Sequence, residues 1–123
     1  MKALFIIGII NGFLAVALGA FGAHGLEGKI SDSALKTWEK AVTYQMFHTG
    51  AILITGLLLL KTKASVFLWS GWLFFIGIIL FSGSLYFYST TGVRSLAMIT
   101  PFGGVTFLIG WIVLGYAVSR YIS

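Results

Sequence analysis

Between Ala3 and Ala23 the chain carries no charged side chain. At 1.5 Å of rise per residue, a helix of about 20 residues crosses the roughly 30 Å of hydrocarbon in a bilayer. Comparable apolar runs occupy residues 41–60, 65–88 and 96–119. Inside a bilayer every backbone N–H and C=O must be bonded within the protein, so a spanning segment is either a helix or a strand of a closed barrel. Barrel strands alternate polar and apolar residues over about ten positions, and none of these runs does. The expected fold is therefore an all-α membrane protein of one domain, residues 1–123, built as an up-down-up-down bundle of four transmembrane helices with short connections.

Composition agrees with that solvent. Of 123 residues, 59% are hydrophobic and 9% are charged, whereas a soluble domain carries roughly 25% charged residues to face water. Cysteine is absent, which removes disulfides, thiolate metal sites and thiol redox chemistry. The formal charge of +5 comes from eight bases scattered at the ends of the apolar runs. Nucleic-acid binding would need them clustered on one face; here they mark topology and contacts with lipid headgroups.

The first run resembles a signal peptide in its basic Lys2 and its "AFG", but its apolar stretch is too long, and it is read as a retained span. Asp32 or Ser33 is the expected N-cap of a second helix reaching Leu60. That helix exceeds the membrane thickness, so its amphipathic start "ALKTWEK" lies in the interface with Trp38 at headgroup level. In the fourth run, "TPFGG" brings a proline into the helix. Either the helix kinks at Pro101, the preferred reading, or it starts there with Thr100 as cap. Lys2, Lys61, Lys63 and Arg120 fall on the side of the termini, against Lys29, Lys36, Lys40 and Arg94 on the other. The acids Glu27, Asp32 and Glu39 share that second side, which favours cytoplasmic termini.

Helices in lipid associate through close backbone approach, which small residues permit. Gly8, Gly12, Ala15 and Gly19 form such a stripe on the first span, Gly77 lies on the third, and Gly103, Gly104 and Gly110 lie on the fourth. They read as packing positions within one chain or between copies of a homo-oligomer. Gly115 continues the fourth stripe. His24 closes the first span and His48 lies inside the second on the same side of the membrane, so Asn11, His24, Tyr44, Gln45, His48 and Thr55 are expected to meet between the first two helices. As a polar cluster they cross-link helices; as a site they bind a lipid, ion or small molecule. Arg94 is an interfacial anchor or a lipid-phosphate contact.

Sharper chemistry finds less support. Two histidines with no acid in a span to hydrogen-bond them make a poor haem site, and no metal or other cofactor is expected. The absence of Asp and Glu from all four spans argues against proton-coupled transport through a buried carboxylate. No nucleophile–base–acid arrangement is visible, so no catalytic residue is assigned.

The segments "LGAFGAHGL" (18–26), "YQMFH" (44–48), "LFSGSLY" (80–86) and "TPFGG…GW" (100–111) resemble the small bacterial inner-membrane proteins grouped as domain of unknown function 423, the YgdD-like or YwdK-like proteins. The resemblance covers nearly the whole chain. It implies a four-span protein of the bacterial cytoplasmic membrane and no established activity. The family's characteristic positions would fall on Gly19, Gly22, His24, Gly25, Gln45, His48, Ser82, Gly83, Ser84, Tyr86, Pro101, Gly103, Gly104 and Trp111. The expected function is a non-enzymatic structural, regulatory or lipid-binding membrane component, with membrane lipids as partners and no known small-molecule substrate. The alternative is a small oligomeric channel or transporter with a polar site between helices 1 and 2.

Overall fold

A computed structural model describes residues 2–123. Four helices in it are long and apolar enough to cross a membrane: α1 (Lys2–Leu26), α2 (Asp32–Thr62), α3 (Ser65–Thr91) and α4 (Arg94–Tyr121). No strand occurs among the described residues. The short connections make successive helices antiparallel.

Two of the four helices form the centre. Half of the most apolar window of α2 is buried, and 39% of that of α3, against 22% for α1 and 17% for α4. The main seams run between α1 and α2, α2 and α3, and α3 and α4, while the outer helices share no comparable one. The bundle is thus a central antiparallel pair with one helix laid on each flank. Leu4, Ile52, Phe67, Phe74 and Phe107 make the apolar core where these seams converge. A second, smaller core of Leu26, Trp38 and Val42 lies toward the α1–α2 connection.

Local chemistry sets the helix ends. Ser31, rather than Asp32 or Ser33, caps α2: its Oγ accepts the Ala34 N–H at 3.0 Å, and Asp32 occupies the first turn. An acid there complements the positive end of the helix dipole. Lys63 ends α2 in a left-handed conformation, its N–H donating to the Leu59 carbonyl. Gly92 does the same for α3 at φ 74°, donating to Tyr88, a conformation that suits a residue without a Cβ.

Two helices widen within their length. The end of α1, Gly22–Leu26, and the middle of α3, Ile78–Gly83, take π geometry. Inside the widened part of α3, Ser82 turns its hydroxyl to the Ala41 carbonyl of α2 at 2.7 Å. Such π turns re-aim side chains and occur often at functional sites.

The fourth helix corrects the expected kink. Arg94–Ala97 forms one turn, the Met98 N–H donates to the Ser95 and Leu96 carbonyls, and Ile99 donates to Leu96. A new helix then begins at Thr100, with Pro101 in its first turn, and runs to Tyr121. Proline lacks an N–H that this position would leave free in any case. Thr100 is not its cap, because its hydroxyl pairs instead with Ser84 Oγ of α3 at 2.6 Å.

Candidate functional site

The expected polar cluster divides into two parts and loses two members. The first part is a chain of side chains crossing three helices. Asn11 Nδ2 donates to the Ile7 carbonyl at 2.9 Å within α1. Its Oδ1 accepts from Gln45 Nε2 of α2 at 3.0 Å, and Gln45 Oε1 accepts from the Tyr86 hydroxyl of α3 at 2.6 Å. Asn11 and Gln45 are buried. Tyr86 also meets the Trp38 ring edge-on at 4.6 Å, and the Trp38 indole N–H donates to the Leu18 carbonyl of α1 at 2.8 Å. Tyr86 is the member that reasoning on the first two helices missed; only its place in "LFSGSLY" pointed to it.

The second part surrounds His48, which faces α4 rather than α1. Its Nδ1 lies 2.8 Å from the Tyr44 carbonyl and its Nε2 lies 3.1 Å from the Trp111 indole nitrogen. A carbonyl accepts and an indole N–H donates, so the ring is the tautomer with hydrogen on Nδ1 and a lone pair on Nε2. Phe107 stacks on it, with centroids 3.6 Å apart and planes 9° apart. Phe74, Phe47 and Tyr44 complete an aromatic surround. Thr55 joins neither part, since its hydroxyl donates to the Ile52 carbonyl.

His24 is the other lost member. It is exposed on the π turn that ends α1, away from His48, so the two histidines do not share a site. Arg94 is likewise exposed, at the first turn of α4. No three His, Asp or Glu side chains come together as a metal set among the described residues.

The glycines fall into distinct environments. A Cβ at Gly8 would meet Leu53, at Gly12 Thr49, at Gly19 Val42 and at Gly22 Trp38, all on α2. One at Gly77 would meet Phe107, one at Gly110 the Phe74 ring, and one at Gly103 the backbone of Leu80 and Phe81. Gly104 is looser, with only a Phe81 ring carbon at 3.9 Å, and Gly115 faces open space outside any seam.

Two grooves open toward the lipid. One, of about 570 Å³, lies between α1 and α3 and is walled by residues such as Leu14, Leu18, Phe75, Ile79 and Phe87, with Asn11, Gln45 and Tyr86 at its base. The other, of about 460 Å³, lies between α2 and α4 beside His48 and Trp111. Among the described residues no buried side-chain nitrogen or oxygen lacks a hydrogen-bond partner.

The family model described as "Protein of unknown function (DUF423)" matches residues 18–104. The chain belongs to that family. It is 54% identical over 121 residues to a UPF0382 membrane protein of Staphylococcus epidermidis, covering 98% of each chain. It is 48% identical to the UPF0382 membrane protein YwdK of Bacillus subtilis over 123 residues, covering 99% of this chain and all of that one. A UPF0382 membrane protein of Staphylococcus haemolyticus is 45% identical over the full length of both. No solved structure matches. The matched region contains Gln45, His48 and Tyr86, while Asn11 and Trp111 lie outside it.

Proposed function

We propose that this protein is a non-enzymatic component of the bacterial cytoplasmic membrane that holds a lipid acyl chain in the groove between α1 and α3. The observation that carries this reading is the state of the groove's base. Asn11, Gln45 and Tyr86 bond to one another and to backbone. With those groups spent internally, the groove offers its occupant chiefly apolar walls, and an acyl chain is what a bilayer supplies to such a surface. A channel or coupled transporter needs polar groups lining a path for its cargo. Here they are closed on themselves, which favours the lipid reading.

The test is retention of native lipid. Protein extracted with its surrounding membrane and purified should carry co-purifying lipid, identified and counted by mass spectrometry. Leu14→Trp fills the groove from its wall and should lower the retained amount. Equal retention by wild type and variant would overturn the proposal. We further propose cytoplasmic termini, which single cysteines at Gly28 and Ser123, probed with a membrane-impermeant maleimide, test.

A further inference from the structure

The second groove differs from the first in having an unspent donor. Tyr44 is 42% exposed on α2, its ring packed on Phe81 of α3 with centroids 4.6 Å apart. The backbone carbonyl of Tyr44 accepts from His48, and its hydroxyl enters no hydrogen bond among the described residues. Counted along α2 from Lys40, the last charged residue before the apolar run, Tyr44 lies about 6 Å and His48 about 12 Å further along at 1.5 Å per residue. Contact with Phe81, and with Phe107 at 6.4 Å, holds the Tyr44 ring down in the groove. A hydroxyl without a partner in hydrocarbon costs free energy. The hydrocarbon of an acyl chain offers it no acceptor.

The rest of the groove is suited to a flat ring. Phe47, Phe81, Phe107 and Trp111 line it together with Leu108 and Val105. Its volume falls within the range of small-molecule sites. The Trp111 indole is fixed by its bond to His48 Nε2, and His48 is fixed in turn by the Tyr44 carbonyl. The wall is therefore preformed, and aromatic rings favour offset or edge contacts with a further ring. Gly104 keeps the α4 side open, since nothing lies nearer its Cβ position than 3.9 Å.

We propose that the groove between α2 and α4 binds the head of a membrane quinone, a planar conjugated ring with carbonyl acceptors on a lipophilic tail. The Tyr44 hydroxyl donates to a ring carbonyl, the aromatic side chains pack on the ring faces, and the tail leaves into the bilayer. Neither the lipid groove nor its occupant enters this assignment.

The test is photolabelling of the full chain in phosphatidylcholine nanodiscs with an azido-benzoquinone bearing a decyl tail. Adducts should map to residues 44–48 and 101–111. Excess decyl-benzoquinone without the azide should compete, and the same excess of decanol should not. Tyr44→Phe removes the donor and should lower labelling roughly threefold to tenfold, the range of one interhelical hydrogen bond in a bilayer. Leu108→Trp fills the groove from a position 63% exposed and should abolish labelling with the wild-type melting temperature retained. Adducts spread over all four helices, competition by decanol, or wild-type labelling of both folded variants would each overturn the proposal.

Discussion

The backbone of Gly103 in α4 rests directly on the backbone of Phe81 in α3. A Cβ at position 103 would overlap the Phe81 nitrogen and stand 2.7 Å from its Cα. Backbone atoms cannot turn aside as a side chain can, so Gly103→Ala must push α4 off α3. The expected loss is about 1 to 3 kcal/mol, as for overpacked cores. Gly104→Ala, one residue on, meets only a ring carbon at 3.9 Å and should be neutral or stabilise by up to about 1 kcal/mol through helix propensity. Thermal unfolding in detergent measures both; equal melting temperatures would remove the close seam.

The chain through Gln45 makes a graded prediction. Tyr86→Phe leaves Gln45 Oε1 without its donor and should cost about 1 kcal/mol. Gln45→Leu strands Asn11 and Tyr86 together and should cost more, about 1 to 3 kcal/mol. A double-mutant cycle on Asn11 and Gln45 should show a coupling of at least about 0.5 kcal/mol. Additive single effects would mean that the two amides do not meet.

The two histidines should behave unlike one another. His48→Ala removes a ring stacked on Phe107 and leaves the Trp111 indole N–H unpaired, so a loss of about 2 to 4 kcal/mol is expected. His24→Ala alters an exposed side chain and should stay within about 0.5 kcal/mol of wild type. Similar losses in both variants would restore the shared cluster.

Why the sequence reveals the helices and not their neighbours is clear at His48. Charge-free length marks all four spans, and the observed helices begin and end within three residues of the expected runs, apart from the long interfacial start of α2. The polar residues of α2 point to partners on other helices, but not to which partner faces which side. Gln45 and His48 lie three residues apart, only about 60° around the axis, yet Gln45 meets Asn11 of α1 and His48 meets Trp111 of α4. That choice depends on how far each outer helix is rotated about α2, which apolar periodicity does not encode when the outer faces are also apolar. The π turns at Gly22–Leu26 and Ile78–Gly83 leave no hydropathy signal either, because one extra residue per turn changes direction and not composition.

Pro101 gives the last test, because its replacement has two opposing effects. In a continuous helix the N–H of residue 101 would reach the Ala97 carbonyl, and proline cannot provide it. Met98 and Ile99 already hold right-handed helical dihedrals, at φ −75°, ψ −19° and φ −78°, ψ −31°, so Pro101→Ala can close the ladder without rebuilding the backbone. The new hydrogen bond adds about 0.5 to 1.5 kcal/mol. Loss of the ring's restriction on the unfolded chain removes about 0.4 to 1 kcal/mol. Stability should thus change by less than about 1 kcal/mol, while amide exchange at residues 102 and 103 slows. A large loss of stability would show instead that the break is needed to seat Thr100 on Ser84 and Gly103 on Phe81.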